Sequence, residues 1–114
     1  MNTIDRFAAI VVGEKKYKLL LTIKSILMCE KELANGNLIT TMAALKVQPL
    51  CVGDAYAIMK WGLLGAGECK SEEEIDDIFM ECLEGPGLPA IQQAALEAIV
   101  KSGFAGKNVA AALQ

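Results

Sequence analysis

A glycine hinge between two helix signals, in residues 54–83, constrains this fold more than any other feature. Asp54 is a predicted N-cap, because it precedes a nearly uncharged run and its carboxylate can accept backbone N–H bonds. The hinge Gly65-Ala66-Gly67 is predicted to end that helix, since glycine adopts positive φ at little cost. Ser71, with Glu74 three residues later, forms a capping box that starts a second helix. The stretch therefore predicts a corner of two helices, the first apolar on nearly all sides.

The second of these helices is amphipathic and acidic. Its apolar residues follow the spacing of a helix that buries one stripe. They are Ile75, Ile78, Phe79, Cys82 and Leu83. The other positions carry Glu72, Glu73, Glu74, Asp76, Asp77, Glu81 and Glu84, with no basic residue. This face is either simply solvated or a docking face for a basic partner segment, because unneutralised charge attracts the opposite sign.

The N-terminal part predicts a β-hairpin over about residues 6–22. Residues 7–12 are rich in β-branched side chains, Gly13-Glu14-Lys15 is predicted as the turn, and alternation resumes in residues 16–22. Tyr17, Leu19 and Leu21 would share one face. Since an isolated two-stranded hairpin is marginal in water, it must lie on the helices or be extended by another chain.

Three further helices are predicted. Thr22 caps one that runs to Ala34, and residues 37–45 form a short one. A last long helix covers residues 89–102 and ends at Gly103. The stripe of the first is Ile23, Ile26, Leu27, Leu33 and Ala34, and the inward residues of the last are Ile91, Ala95, Ala98 and Ile99. The tail, residues 104–114, has few anchoring side chains and is predicted to fray or to depend on a partner.

Glu30 lies on the apolar stripe of the first of these helices. Its carboxylate would either meet a basic group of a partner, or be half-exposed at the margin of the stripe or paired with a lysine. Ragged stripes are common on surface helices, which favours the second interpretation.

These elements predict one fold class. The 114 residues suit a single domain, 1–114, of the mainly α (α+β) class. The N-terminal β-hairpin is followed by about five helices in a compact bundle. Hydrophobic residues make up 54% of the chain, a mild excess that favours a partner or self-association.

Composition also narrows the classes of function that we expect for this chain. The net charge of −3 disfavours general affinity for nucleic acid. No apolar run is long enough to span a membrane, and residues 1–7 lack the core of a signal peptide, so we expect a cytoplasmic protein. Histidine is absent, and Cys29, Cys51, Cys69 and Cys82 form no C-x-x-C pair. We therefore expect reduced, buried cysteines, no metal, no cofactor and no enzymatic activity.

Two stretches of the sequence match known functional motifs only in part. Residues 62–71 resemble a phosphate-binding loop, but Cys69 occupies the place of its last glycine and Glu68 would repel phosphate. Residues 41–61 resemble a helix-turn-helix, but the connector is too long for a turn of about three to four residues. Its second helix would also offer a single lysine to base edges.

Four short motifs follow one another in a characteristic order. They are Gly13-x-x-x-Tyr17-x-Leu19, Thr22 with the helix that carries Glu30, Leu63-Leu64-x-Ala66-Gly67, and the acidic capping box from Ser71. Together they resemble the small tail assembly chaperones of long-tailed phages and gene transfer agents, over about residues 7–102. The four-residue step from Gly13 to Tyr17 departs from the slightly tighter loop expected of that family.

The resemblance implies a mostly helical, non-enzymatic protein of the bacterial cytoplasm, encoded by a phage or prophage. Such proteins coat the long, helical tape measure protein while the tail tube polymerises around it, and they are absent from the finished virion. The implied partners are the tape measure protein and the tail tube protein, with a possible homo-oligomer and neither nucleic acid nor membrane. A small DNA-binding transcriptional regulator and a permanent minor virion structural protein are the alternatives.

The residues suggest where a client would bind. The apolar helix of residues 54–64 would supply a groove for a helical client, and the acidic face would meet basic segments. The predicted partner-binding residues are Tyr56, Met59, Trp61, Leu64, Glu73, Asp77 and Glu81. The alternative, in which the large apolar side chains of this helix are core, stays open at this point.

Overall fold

The chain folds as an N-terminal hairpin followed by helices, as predicted. The computed structural model describes residues 6–113. Strands β1 (Ala8–Val12) and β2 (Lys15–Leu19) precede α1 (Ile23–Glu32), α2 (Leu38–Ala43), a single 3₁₀ turn (Ala44–Lys46), α3 (Val52–Ala66), α4 (Glu72–Glu84), α5 (Leu88–Ser102) and α6 (Lys107–Leu113). Helices α1 to α5 are the five predicted ones. The predicted class, a mainly α single domain, is confirmed.

The hairpin has a tighter turn than predicted. Val12 pairs with Lys15, so only Gly13 and Glu14 form the loop and Lys15 belongs to β2. Gly13 has φ +61° and Glu14 a negative φ, which fits a type II′ turn that follows the twist of the strands. The second strand ends at Leu19, three residues before the predicted end. Strand β2 packs on α3 and, to a smaller extent, on α5, whereas β1 packs chiefly on α5.

The hairpin is joined to α3 by a close backbone contact. The N–H of Leu20 donates to the carbonyl oxygen of Gly62 at 2.9 Å. A Cβ on Gly65 would lie 2.1 Å from the carbonyl oxygen of Leu20, and a Cβ on Gly62 would lie 3.1 Å from the Cβ of Leu19. At Gly65 only glycine allows this approach, and at Gly62 a side chain would force Leu19 to shift, so both glycines serve packing. The predicted hinge is therefore wrong for Gly65 and Ala66, which are helical, and Gly67 alone ends α3, at φ +77°.

The start of α3 also differs from the prediction. The helix begins at Val52, and the N-cap is Cys51, whose sulfur accepts the N–H of Asp54 at 3.4 Å. Asp54 lies in the first turn, is buried, and accepts the N–H of Ala34 at 3.0 Å. Its carboxylate is thus satisfied by the loop after α1, which explains why it can be buried within the helix.

Helix α1 buries only part of the predicted stripe, since Leu33, just after the helix, is buried and Ile26 is half-buried against the core. It ends at Glu32, two residues early, and its buried residues are Ser25 and Cys29. Of the predicted stripe, Ile23 is 78% exposed and Leu27 is 59% exposed. The physical reason is the closeness of α1 to α3. The hydroxyl of Ser25 would lie 2.8 Å from a Cβ on Gly65, so a small residue is required where the two helices meet.

The remaining helices follow the prediction more closely. Ser71 caps α4 by accepting the N–H of Glu74 at 3.2 Å, and Ile75, Phe79 and Cys82 are buried. Helix α5 buries all four predicted inward residues and ends at Gly103. The tail that was predicted to fray or to depend on a partner contains α6, where Leu113 is 8% exposed and Lys46 donates to the carbonyl oxygen of Ala112 at 2.7 Å. None of the helices in the described chain has the length and hydrophobicity that a membrane span requires.

The Gly65 contact gives a testable prediction. Gly65→Ala should lower the free energy of unfolding by about 3 kcal/mol, the upper end for overpacking, because the obstructing atom is backbone. The matched control is Gly53→Ala in the same helix, where a Cβ meets nothing within 4 Å. That substitution should raise stability by about 0.5–1 kcal/mol. Urea denaturation of both variants tests this, and equal stabilities would contradict the packing role of Gly65.

Candidate functional site

The predicted partner-binding residues of α3 do not form one groove. Met59 is fully buried and belongs to the core, whereas Tyr56, Trp61 and Leu64 are half-buried. The three half-buried residues are held by different neighbours, because they lie at different angles around the helix. The four residues therefore divide between the core and two separate parts of the surface.

Tyr56 joins α3 to α4. Its hydroxyl donates to Oδ1 of Asp76 at 2.5 Å, and its ring meets that of Phe79 edge-on, with centroids 5.2 Å apart. The hydrogen bond to the Asp76 carboxylate, reinforced by burial, raises the pKa of Tyr56 to about 12. The phenol is thus neutral at physiological pH and ties one predicted site residue to the acidic helix.

Trp61 joins α3 to the end of α1. Its Nε1–H donates to Oε2 of Glu32 at 2.8 Å. The ammonium of Lys60 lies 5.2 Å from the Trp61 ring centroid and bridges Glu32 and Glu72, at 3.4 Å from each. Trp61 and Leu64 also line a shallow cleft of about 390 Å³ beside the start of α1. This cleft is the part of the predicted groove that stays open to solvent.

The acidic face of α4 is partly used inside the protein. Glu81 accepts a hydrogen bond from the Tyr17 hydroxyl at 2.6 Å and one from Lys15 at 3.0 Å. These two bonds lower the pKa of Glu81, and the carboxylate raises the pKa of Tyr17 in turn. Glu73 and Asp77 are exposed on the outer side of the helix. Of the three predicted acids, these two can meet another molecule without breaking a bond within the chain.

Glu30 is half-exposed, as the favoured interpretation held, and it also makes a hydrogen bond that the sequence did not predict. Its Oε2 accepts the N–H of Leu38 at 2.8 Å, at the first residue of α2. A carboxylate at a helix start satisfies a free N–H and complements the helix dipole. The half-buried Glu30 thus fixes the direction of α2.

Two exposed apolar residues of α1 were predicted as part of a buried stripe. They are Ile23 and Leu27, one helical turn apart, and we call these two residues the outward face of α1. Ile26, between them in sequence, is half-buried against the core. Exposed Lys24 and Lys31 flank it. The i, i+3, i+4 spacing was visible in the sequence, but spacing shows only that a stripe exists and not what covers it.

Three of the four cysteines are buried and one is exposed. Burial raises the pKa of Cys29 to about 12 and that of Cys82 to about 11, and it also raises the pKa of Cys69. Cys51 is exposed at the start of α3, so the prediction of burial is wrong there. In the part of the chain that the structure describes, no group of three His, Cys, Asp or Glu side chains is placed to hold a metal ion.

Comparison of the chain with protein-family models, with curated proteins and with solved structures finds no match. Any functional conclusion therefore rests on the residues and their geometry.

The assignment of Met59 to the core can be tested with a matched pair. Met59→Ala should lower the free energy of unfolding by about 2–5 kcal/mol, the usual cost of truncating a buried methionine. Met80→Ala makes the same change on α4, where Met80 is 53% exposed, and should change stability by less than about 0.5 kcal/mol. Chemical denaturation gives both values. Similar losses would contradict the assignment of these two sites.

Proposed function

We propose that this protein is a non-enzymatic tail assembly chaperone of a phage or prophage. It binds the tape measure protein in the bacterial host cytoplasm, assists assembly of the tail tube, and leaves before the virion is complete. The motif order of residues 7–102 supports the proposal from the sequence, and the surface of α1 supports it from the structure.

The outward face of α1 is the observation that carries the proposal. Two large aliphatic side chains, Ile23 and Leu27, lie one helical turn apart with 78% and 59% of their surface exposed. Burying such side chains is worth roughly 1.5–3 kcal/mol each, so a partner gains affinity by covering them. A pair of apolar residues at i and i+4 can meet the apolar seam of another helix, which is the form expected of a tape measure client.

Two further features support the binding of a long, charged helical client. The flanking Lys24 and Lys31 can meet acidic positions beside the apolar seam of that client. Glu73 and Asp77 on α4 offer a second, acidic surface for basic segments of the tape measure or tail tube protein. Exposed charge pairs contribute little energy each, which suits a partner that is later displaced.

The experiment is co-expression with the tape measure protein encoded in the same genome. We expect a soluble complex with the wild-type chain and its loss with the double variant Ile23→Ser and Leu27→Ser. The fold should persist, because substitutions at exposed positions rarely change stability by more than about 0.5 kcal/mol. Binding should weaken by about a hundredfold or more, since two apolar anchors are removed.

The matched control is Val47→Ser, which truncates an aliphatic side chain that is 86% exposed elsewhere on the protein. It should leave the complex intact. A double variant that stays folded and still keeps the tape measure protein soluble would contradict the role of the outward face. Detection of the chain by mass spectrometry in purified, mature virions would contradict the chaperone proposal and favour a permanent structural protein.

A further inference from the structure

The register of the hairpin determines which backbone groups point outward. With a two-residue loop, the pairs Val12–Lys15, Ile10–Tyr17 and Ala8–Leu19 exchange hydrogen bonds across the ladder. The N–H and C=O groups of Ala9 and Val11 therefore point away from β2, at the outer edge of β1. The same alternation turns the N–H of Lys18 outward on the other edge, where it donates to Oε2 of Glu68 at 2.7 Å.

The two edges of the hairpin differ in protection. The β2 edge is closed at Lys18 by the Glu68 carboxylate. On the β1 edge, the outward backbone groups of Ala9 and Val11 have no hydrogen-bond partner anywhere in residues 6–113. The strand reads Ala-Ala-Ile-Val-Val without charge or proline, and Val11 is 56% exposed. Natural edge strands normally carry a charged residue or a proline that prevents pairing, so an edge without them can pair with another strand.

The surroundings of this edge are basic. A groove of about 350 Å³ runs beside β1, lined by Phe7, Ala8, Ala9, Lys16, Lys18, Glu97 and Lys101. Lys16 and Lys18 lie on the outer face of the sheet, opposite Val11 and Ala9. The ammonium of Lys18 reaches across β1 to 5.4 Å from the ring centroid of Phe7. Neither Lys16 nor Lys18 forms an ion pair within residues 6–113, so their ammonium groups attract acidic side chains to the groove.

We propose that the open edge of β1 binds an extended segment of a partner protein, in which apolar and acidic residues alternate. The partner strand would hydrogen-bond to the backbone of Ala9 and Val11. Its apolar residues would continue the inner face beside Ile10. Its acidic residues would continue the outer face beside Ala9 and Val11, where the long side chains of Lys16 and Lys18 can reach them across β1. This surface is distinct from the outward face of α1 and does not depend on the proposed function.

A second copy of this chain fits the edge less well. Antiparallel pairing of β1 with β1 of another copy would bring the outer-face lysines of both copies to the same face of one sheet. These lysines would lie on the two outermost strands of that sheet, and the Ala-Ala-Ile-Val-Val strand of the second copy would bring no acid to meet them. Charge complementarity therefore favours an acidic strand over self-pairing.

The test uses the whole protein and a blocked synthetic peptide of about six residues, a common strand length, that alternates valine and glutamate. Titration followed by amide NMR should shift the Ala9 and Val11 signals and slow their hydrogen exchange. A version N-methylated at the amides that face β1 should bind about tenfold more weakly or worse, because it loses two hydrogen bonds. A valine–lysine peptide should also bind about tenfold more weakly, because it meets the same lysines with like charge.

Two protein variants separate the backbone and charge contributions. Val11→Pro removes an outward N–H that the ladder does not use, so the hairpin should persist while peptide binding is lost. Lys16→Glu should weaken the acidic peptide and favour the basic one, whereas Lys31→Glu, the same charge change on α1, should do neither. Binding of both peptides with equal strength, or no shift at Ala9 and Val11, would overturn the proposal. Concentration-dependent protection of these amides without peptide would also overturn it, in favour of self-pairing.

Discussion

The close approach of the hairpin exit to α3 sets the geometry of the rest of the protein. The N–H of Leu20 donates to the carbonyl oxygen of Gly62, and the carbonyl oxygen of Leu20 lies against Gly65. The backbone just after β2 is therefore directly against the helix. The chain then continues through Thr22 into α1, so α1 must also lie close to α3. At that distance only small residues such as Ser25 fit between the two helices. Two large aliphatic residues of α1, Ile23 and Leu27, are consequently on the solvent side, where they become available to a partner.

Charge is arranged around the same framework. The acids of α4 divide into those that bind within the chain and those that do not. Glu72 and Asp76 bind side chains of α3, and Glu81 binds the hairpin through Lys15 and Tyr17. Glu81 lies at the end of α4, where the helix dipole disfavours a carboxylate, and its two hydrogen bonds offset that effect. The acids between these contacts are left facing solvent, which gives the molecule an acidic surface distinct from the apolar one on α1.

Much of the fold could be predicted from local signals, because they depend on neighbouring residues alone. The capping box at Ser71, the stripe from Ile75 to Cys82 and the helix end at Gly103 are of this kind. The errors share a different cause. Gly65 and Asp54 were assigned to a helix end and a helix start, yet both are helical because of residues distant in sequence, Leu20 and Ala34. The same holds for the candidate site, since periodicity located the stripe of α1 but could not show that Gly62 and Gly65 would exclude part of it from the core.

We infer that the outward face of α1 is exposed in the free protein and is covered when the client binds. Methyl NMR with a soluble paramagnetic gadolinium chelate tests this directly. We predict that the methyl groups of Ile23 and Leu27 relax as strongly as those of exposed Val47 in the free protein, and become protected when the tape measure segment binds. Protection in the free protein comparable to that of buried Ile99, or unchanged exposure in the complex, would contradict it.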